Sequence, residues 1–248
     1  MVDRNLMPEI HCEWGEHGVR QLAELCEVIV IVDVLSFTTA VEVAASNGST
    51  VFPYRFRDET AAQFAGEVNA ELARGRGMGG YSLSPASLMK IEKPLRLVLP
   101  SPNGSTLSLA TGDVLTVAGC LRNASAVADY AQRQGRKIGV VPAGERWPDY
   151  SLRPALEDIL GAGAILSCLG GIKTAEAQTA VEMFEAARPC LQDRIMSCVS
   201  GIELVERGYE RDVQISSDLD ASACVPVLLR DKADPSTPGA YVDAETSG

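Results

Sequence analysis

Apolar residues in this chain follow two rhythms. Short continuous runs of β-branched and aliphatic residues alternate with longer segments in which apolar positions recur every three or four residues. The run Ile29-Val30-Ile31-Val32 has no polar interruption, which predicts a strand covered on both faces, as inside a parallel sheet. It ends on Asp33. Burying an ionised carboxylate without partners is costly, so this side chain belongs at the strand's exit. Ser36, Thr38 and Thr39 follow, then an apolar-rich segment to Asn47-Gly48 that reads as a helix with Ser36 near its N-cap.

The same pairing of run and segment recurs. Glu9 to Trp14 and Val51 to Tyr54 read as strands, Gly18 to Cys26 as a short helix, and Arg57 to Arg74 as a helix with one apolar face. Arg96 to Leu99, Val114 to Ala118 and Ile138 to Val141 predict three further strands, each followed by a polar or glycine-bearing turn. Helices are predicted over Ala124 to Gln134 and from about Arg153 to Leu169, and two more between Thr174 and Tyr209, broken near Pro189-Cys190. Asp212 to Ser222 is polar and acidic, and Cys224 to Leu229 reads as a late strand placed at a sheet edge by Pro226. The alternation predicts an α/β fold, a three-layer α/β/α arrangement with a largely parallel or mixed central sheet. Residues 1–230 form a single domain in this reading. Residues 231–248, rich in Pro, Ser, Gly and Asp, are expected to be a flexible tail.

Composition narrows the function. A net charge of −11 argues against nucleic acid as a partner, because phosphate backbones are gripped by clustered Lys and Arg. It also disfavours an anionic membrane surface, and no apolar run reaches membrane-spanning length. The seven cysteines have no close pairing and sit mostly in apolar runs, and the N-terminus lacks an apolar signal region, so a cytoplasmic protein with reduced thiols is expected. With only His11 and His17 available, any metal would be a hard, oxygen-bound ion.

Chemistry concentrates at the predicted strand exits. Asp33 either caps the next helix or meets a cation. Ser101 to Thr106, with Asn103-Gly104 at its centre, is either an ordinary Asn-Gly turn or a concave nest of N–H groups suited to phosphate. Glu145 follows Gly144, and Glu157-Asp158 open a helix; such acids either complement a helix dipole or, with Asp33, supply the few oxygen ligands of Mg²⁺. Arg122, Arg146 and Arg153 lie on the same loops, where they can grip an anion bidentately or form surface ion pairs.

Other motifs fail on context. Gly75-Arg76-Gly77-Met78-Gly79-Gly80 matches G-x-G-x-x-G, but the dinucleotide fingerprint needs a strand before it and a helix after it. Cys224 to Arg230 has the Cys-x5-Arg spacing of cysteine phosphatases, but its interior lacks the glycines of a phosphate-wrapping loop.

Taken in order, Val32-Asp33-Val34-Leu35 with Thr38-Thr39, Asn103-Gly104, Asn123-Ala124-Ser125-Ala126-Val127-Ala128, Ala143-Gly144-Glu145 and Ala155-Leu156-Glu157-Asp158 followed by Gly161-Ala162-Gly163-Ala164-Ile165 resemble the 2-phosphosulfolactate phosphatase family, ComB. The resemblance covers roughly residues 30 to 170. It implies a three-layer fold and a Mg²⁺-dependent phosphatase converting 2-phospho-3-sulfolactate to 3-sulfolactate on a route towards coenzyme M. Together with the strand-exit reading, this leads us to expect Asp33, Glu145 and Arg153 in the catalytic group, and Asp33, Glu145, Glu157 and Asp158 around the metal. Ser36, Thr38, Ser101, Asn103, Gly104, Ser105, Arg122, Asn123, Gly144 and Arg146 would bind substrate. Arginines usual in the family are replaced here at Ser36 and at Ser105-Thr106. The expected partner is therefore a small anionic phosphate ester, with a homodimer as the assembly the resemblance suggests. A non-catalytic phosphoester-binding protein, or a phosphatase for a different anion, are the alternatives.

Overall fold

The computed structural model of the protein describes residues 7–231, 233–234 and 237–247. Its strands are β1 (Glu9–Cys12), β2 (Val28–Val32), β3 (Thr50–Tyr54), β4 (Glu71–Leu72), β5 (Arg96–Pro100), β6 (Leu115–Gly119), β7 (Lys137–Pro142), β8 (Glu145–Arg146), β9 (Leu152–Arg153), β10 (Ile172–Lys173), β11 (Pro226–Leu229) and β12 (Ala240–Asp243). The helices are α1 (Gly15–Leu25), α2 (Phe37–Ser46), α3 (Glu59–Glu67), α4 (Pro85–Leu88), α5 (Gly104–Ala110), α6 (Ala124–Gln134), α7 (Leu156–Cys168), α8 (Ala175–Ala187), α9 (Leu191–Ser197), α10 (Val199–Glu206) and α11 (Glu210–Ser216).

Ten strands form one mixed sheet in the order β10-β1-β7-β2-β6-β11-β12-β3-β5-β4, while β8 and β9 make a separate hairpin. As the uninterrupted apolar run requires, every residue of β2 is at 0% exposure. Its side chains alternate between two cores: Val28, Val30 and Val32 pack with residues of α6, α7 and α8, whereas Ile29 and Ile31 pack with Val19 and Leu22 of α1 and Leu107 of α5. Helices thus cover both faces, giving the three-layer α/β/α arrangement.

The sheet holds two parallel groups, β10-β1-β7-β2-β6 and β3-β5-β4. Between them β11 is antiparallel to β6 and to β12, and β12 is antiparallel to β3, so the two groups run in opposite senses. In a flat sheet β5 would lie about 24 Å from β2, five strands away at about 4.8 Å each. Yet the Gly104 N–H, four residues beyond the end of β5, reaches Asp33 Oδ2 at 2.9 Å. Four residues span at most about 14 Å, so the sheet curls until the two sets of strand exits meet.

Several expectations are corrected. The helix expected over Arg57 to Arg74 ends at Glu67; Asn69 turns the chain with φ +48°, and Glu71–Leu72 then pairs with β5. Arg153 lies on the β8–β9 hairpin rather than opening a helix, and α7 begins at Leu156. Between Thr174 and Tyr209 there are three α-helices, and part of the acidic stretch after them is α11. The strand carrying Pro226 is interior, not at an edge: proline is its first residue, and Val227 alone pairs with β6. The flexible tail expected over 231–248 is overturned at Ala240–Asp243, which joins β11 to β3. There Tyr241 is fully buried and its hydroxyl donates to Ser108 Oγ at 2.7 Å. Residues 232, 235, 236 and 248 of that segment lie outside the described residues. No helix among the described residues is long and apolar enough to cross a membrane.

Candidate active site

The chain leaves β2 in a tight loop built around Asp33. Its Oδ1 accepts the backbone N–H groups of Ser36 at 2.9 Å and Phe37 at 3.1 Å, and its Oδ2 accepts that of Gly104. Thr38 Oγ1 accepts from the Asp33 N–H and donates to the Asp33 carbonyl, both at 2.9 Å. One carboxylate therefore organises the start of α2 and fastens the β5 exit to the β2 exit. Gly104 is required by this approach: a Cβ there would overlap the Phe37 ring and come within 2.8 Å of Asp33 Oδ2.

A second buried acid repeats the device. Asp158, in the first turn of α7, accepts the Val34 N–H on Oδ1 at 2.8 Å and the Gly144 N–H on Oδ2 at 2.9 Å, tying the exits of β2 and β7 together. Gly144 sits at φ +69°, a conformation that glycine adopts at little cost. Glu145 follows it, and its Oε2 accepts from the Asn103 side-chain amide at 2.9 Å. Arg153 is paired with Glu145 across the hairpin and favours its ionised form. Glu157 is buried next to the Cys198 thiol, which burial and that carboxylate together push up to about 12.

These four acids feel one another. Burial is the main force raising the pKa of Asp33, Glu145 and Asp158, and each of the three is raised further by at least one of the other carboxylates or by Glu157. For Glu145 the rise is from 4.5 to about 7. Three N–H donors partly offset the rise at Asp33.

The remaining expected residues divide. Ser36, Thr38, Ser101 and Ser105 are buried at the same exits, but the Thr38 and Ser105 hydroxyls are engaged by the Asp33 and Leu99 carbonyls. Arg146 is exposed at the hairpin and donates to the Tyr150 carbonyl. Arg122 and Asn123 face elsewhere. Arg122 donates to buried Glu42 at 2.6 Å and to the Ile215 carbonyl, and Asn123 latches the Cys120 N–H to the Ala118 and Cys224 carbonyls. Cys224 and Arg230 make no phosphate loop: burial pushes the thiol up, and the guanidinium donates to Ser108 O and Thr111 Oγ1.

Arg76, which carries no functional reading in the sequence, is held by Asp212 and feels the charge of Asp33. Its guanidinium is largely buried, which lowers its pKa; it donates to Asp212 Oδ2 at 3.2 Å and to the Leu83 carbonyl, and the charges of Asp212 and, least, of Asp33 offset part of that cost. Ser84 Oγ holds the other oxygen of Asp212 at 2.6 Å. The available signal is an arginine inside the glycine run 75–80, a run whose spacing otherwise matches only the dinucleotide pattern.

The donor set also decides what metal would fit. No group of three or more His, Cys, Asp and Glu residues that could hold a metal is present among the described residues. The expectation that three acids close on one ion is therefore not met; the oxygens of Asp158 and of Asp33 alike already hold backbone N–H groups. Mg²⁺, however, commonly takes one or two carboxylates and completes its octahedron with water and substrate phosphate. A cation would relieve the repulsion among buried Asp33, Glu157 and Asp158 and half-buried Glu145, and Asp33 Oδ2 and Glu145 Oε2, each accepting one hydrogen bond, keep a lone pair for an ion of that kind.

The profile of the family described as 2-phosphosulpholactate phosphatase matches residues 16–231, the segment that builds all these exits. The chain belongs to this family. It is 29% identical over 212 residues to a probable 2-phosphosulfolactate phosphatase of Carboxydothermus hydrogenoformans, covering 81% of this chain and 85% of that one. A probable 2-phosphosulfolactate phosphatase of Thermotoga maritima is 27% identical, with 82% and 90% covered, and the 2-phosphosulfolactate phosphatase of Methanothermobacter thermautotrophicus 27%, with 80% and 85% covered. At this identity the ComB-like family is shared while individual side chains have diverged.

Proposed function

We propose that this chain is a Mg²⁺-dependent phosphatase of a small anionic phosphate ester, with 2-phospho-3-sulfolactate as the substrate its family suggests and 3-sulfolactate, on a route towards coenzyme M, as the product. The observation that carries the reading is the convergence of Asp33, Glu145, Glu157 and Asp158 from the exits of β2 and β7 into one anionic cluster, met by Asn103 and Gly104 from the exit of the opposed strand β5. Hydrolysis breaks the P–O bond to the organic alcohol. Water supplies the oxygen that joins phosphorus, and its protons are shared between orthophosphate and the released alcohol.

Mg²⁺ held by Asp33 and Glu145 would polarise a phosphoryl oxygen and lower the pKa of a bound water. Asn103 orients the Glu145 carboxylate, and the N–H groups of Ser36, Phe37 and Gly104 fix Asp33, so neither must reorganise as charge develops. Arg76, held by Asp212, offers a positive charge to the phosphoryl group, and Arg153 one to the acidic remainder of the substrate. Burial of Asp33, Glu157 and Asp158 strengthens these interactions.

Orthophosphate release from 2-phospho-3-sulfolactate and a panel of three-carbon phosphates tests the proposal. With Mg²⁺, wild type should turn over at least one ester, and Glu145→Gln should lose about two orders of magnitude in kcat, the scale of one electrostatic catalytic group. Absence of turnover on the whole panel, or full activity in Glu145→Gln, would overturn it. Tight phosphoester binding without release would favour a binding protein on the same fold.

A further inference from the structure

Glu145, at the edge of the carboxylate cluster, borders more space than a three-carbon acid fills. A cavity of about 360 Å³ bounded by Asn103 and Glu145 shares Glu16, Arg146 and Tyr150 with a neighbouring hollow of about 640 Å³. The outer hollow is walled by Phe56, Trp147 and Tyr150, which are 59%, 52% and 80% exposed, and by the rigid rings of Pro102 and Pro148. Three large aromatic side chains left this open at one rim are costly unless something covers them.

The rim is built rather than loose. The loop closing the β8–β9 hairpin is held by Trp147 N–H to Ser151 O and Tyr150 N–H to Trp147 O, both at 2.9 Å, and Asp149 caps the Ser151 N–H at 3.0 Å. Tyr150 holds φ +65°, an uncommon conformation for a bulky residue. The Arg153 guanidinium lies 5.8 Å from the centre of the Trp147 ring, which orients the indole. Charge at the mouth is mixed: Arg55 and Arg146 line it, and Glu16, which also faces it, is answered by Arg20 at 2.7 Å. Thr106, two residues after the Gly104 that holds Asp33, is also part of its lining.

We propose that this outer hollow is a subsite for the organic part of the substrate, and that, in place of the ring-free three-carbon acid the family suggests, the ester it selects carries a planar ring, held against Trp147 and Tyr150 with its anionic substituents towards Arg55 and Arg146. The subsite rests on the phosphatase reading for its inner boundary, since the phosphate lies at the carboxylates and the ring extends outward from it. Pockets of roughly 300–1,000 Å³ suit ligands of this larger size. A second copy of the chain is the other occupant an exposed aromatic rim invites, but the rim's continuity with the carboxylate cavity favours a ligand that spans both.

Calorimetry with two non-hydrolysable anions in the presence of Mg²⁺ tests this. Phenylphosphonate and methylphosphonate share the phosphonate group and differ by the ring. Wild type should bind phenylphosphonate about tenfold more tightly, the contribution expected of one aromatic stack. Trp147→Ala should erase the difference and Trp147→Phe should keep most of it. Equal affinities in wild type, or a ring preference that survives Trp147→Ala, would overturn the subsite. So would a dimer in wild type that Trp147→Ala dissociates without any ring dependence. Ring-dependent binding by a protein that releases no orthophosphate would end the hydrolysis proposal and leave the subsite standing. Hydrolysis without ring dependence would do the reverse.

Discussion

Asp33 shows how much one side chain can organise when its oxygens are shared among three backbone donors. A test of that role is Gly104→Ala, in which a Cβ would meet the Phe37 ring and Asp33 Oδ2. Overpacking of this kind costs about 1–3 kcal/mol, measurable as a lowered urea midpoint, and phosphatase activity should fall further than stability because the Asp33 carboxylate is displaced. Glu145 gives a pH signature. Its folded pKa of about 7 exceeds the ordinary 4.5, so the native state binds the proton more tightly than the unfolded chain. Stability should therefore decline as pH rises from about 4.5 to 7, by up to about 3 kcal/mol from this group. Glu145→Gln should flatten that decline in urea titrations across the window. Asp33 was legible in the sequence because an acid ending a β-branched run has few places to go. Arg76 was not, because its burial and its partner Asp212 depend on a contact between residues 136 positions apart, which no local spacing encodes.

At the level of elements, runs such as β2 and periodic segments such as α6 declared themselves, since burial on both faces and a 3.6-residue repeat each leave a distinct trace. What stayed hidden was decided by distant partners. Ala240–Asp243 lies in a polar, proline-bearing stretch and becomes a strand only because the slot between β11 and β3 accepts Tyr241. Removing residues 232–248 would open the sheet there and leave Ser108 without the Tyr241 hydroxyl, so the truncated chain should unfold at markedly lower urea or aggregate. A flexible tail would make the same deletion neutral. Tyr241→Phe is a gentler probe and should cost about 1 kcal/mol, one buried hydrogen bond.

Across the whole molecule, the curl of the mixed sheet has the functional consequence. Two parallel groups of opposed sense deliver their exits to one place, so Asp33 and Glu145 from one group face Asn103 and Gly104 from the other. The strand-exit rule read from the sequence therefore survives, although the sheet is not uniformly parallel. Grouping three buried acids with half-buried Glu145 makes the cluster repulsive above neutral pH. Mg²⁺ should accordingly raise the melting temperature more at pH 8 than at pH 5, where protons already quench part of the charge. The most direct test is a calorimetric titration of Mg²⁺ into the protein at pH 8 with orthophosphate present. One site is expected in wild type, and the binding heat should be lost in Asp33→Asn and in Glu145→Gln while circular dichroism shows both variants folded. Mg²⁺ binding left intact in both variants would contradict the assignment of those two carboxylates to the metal.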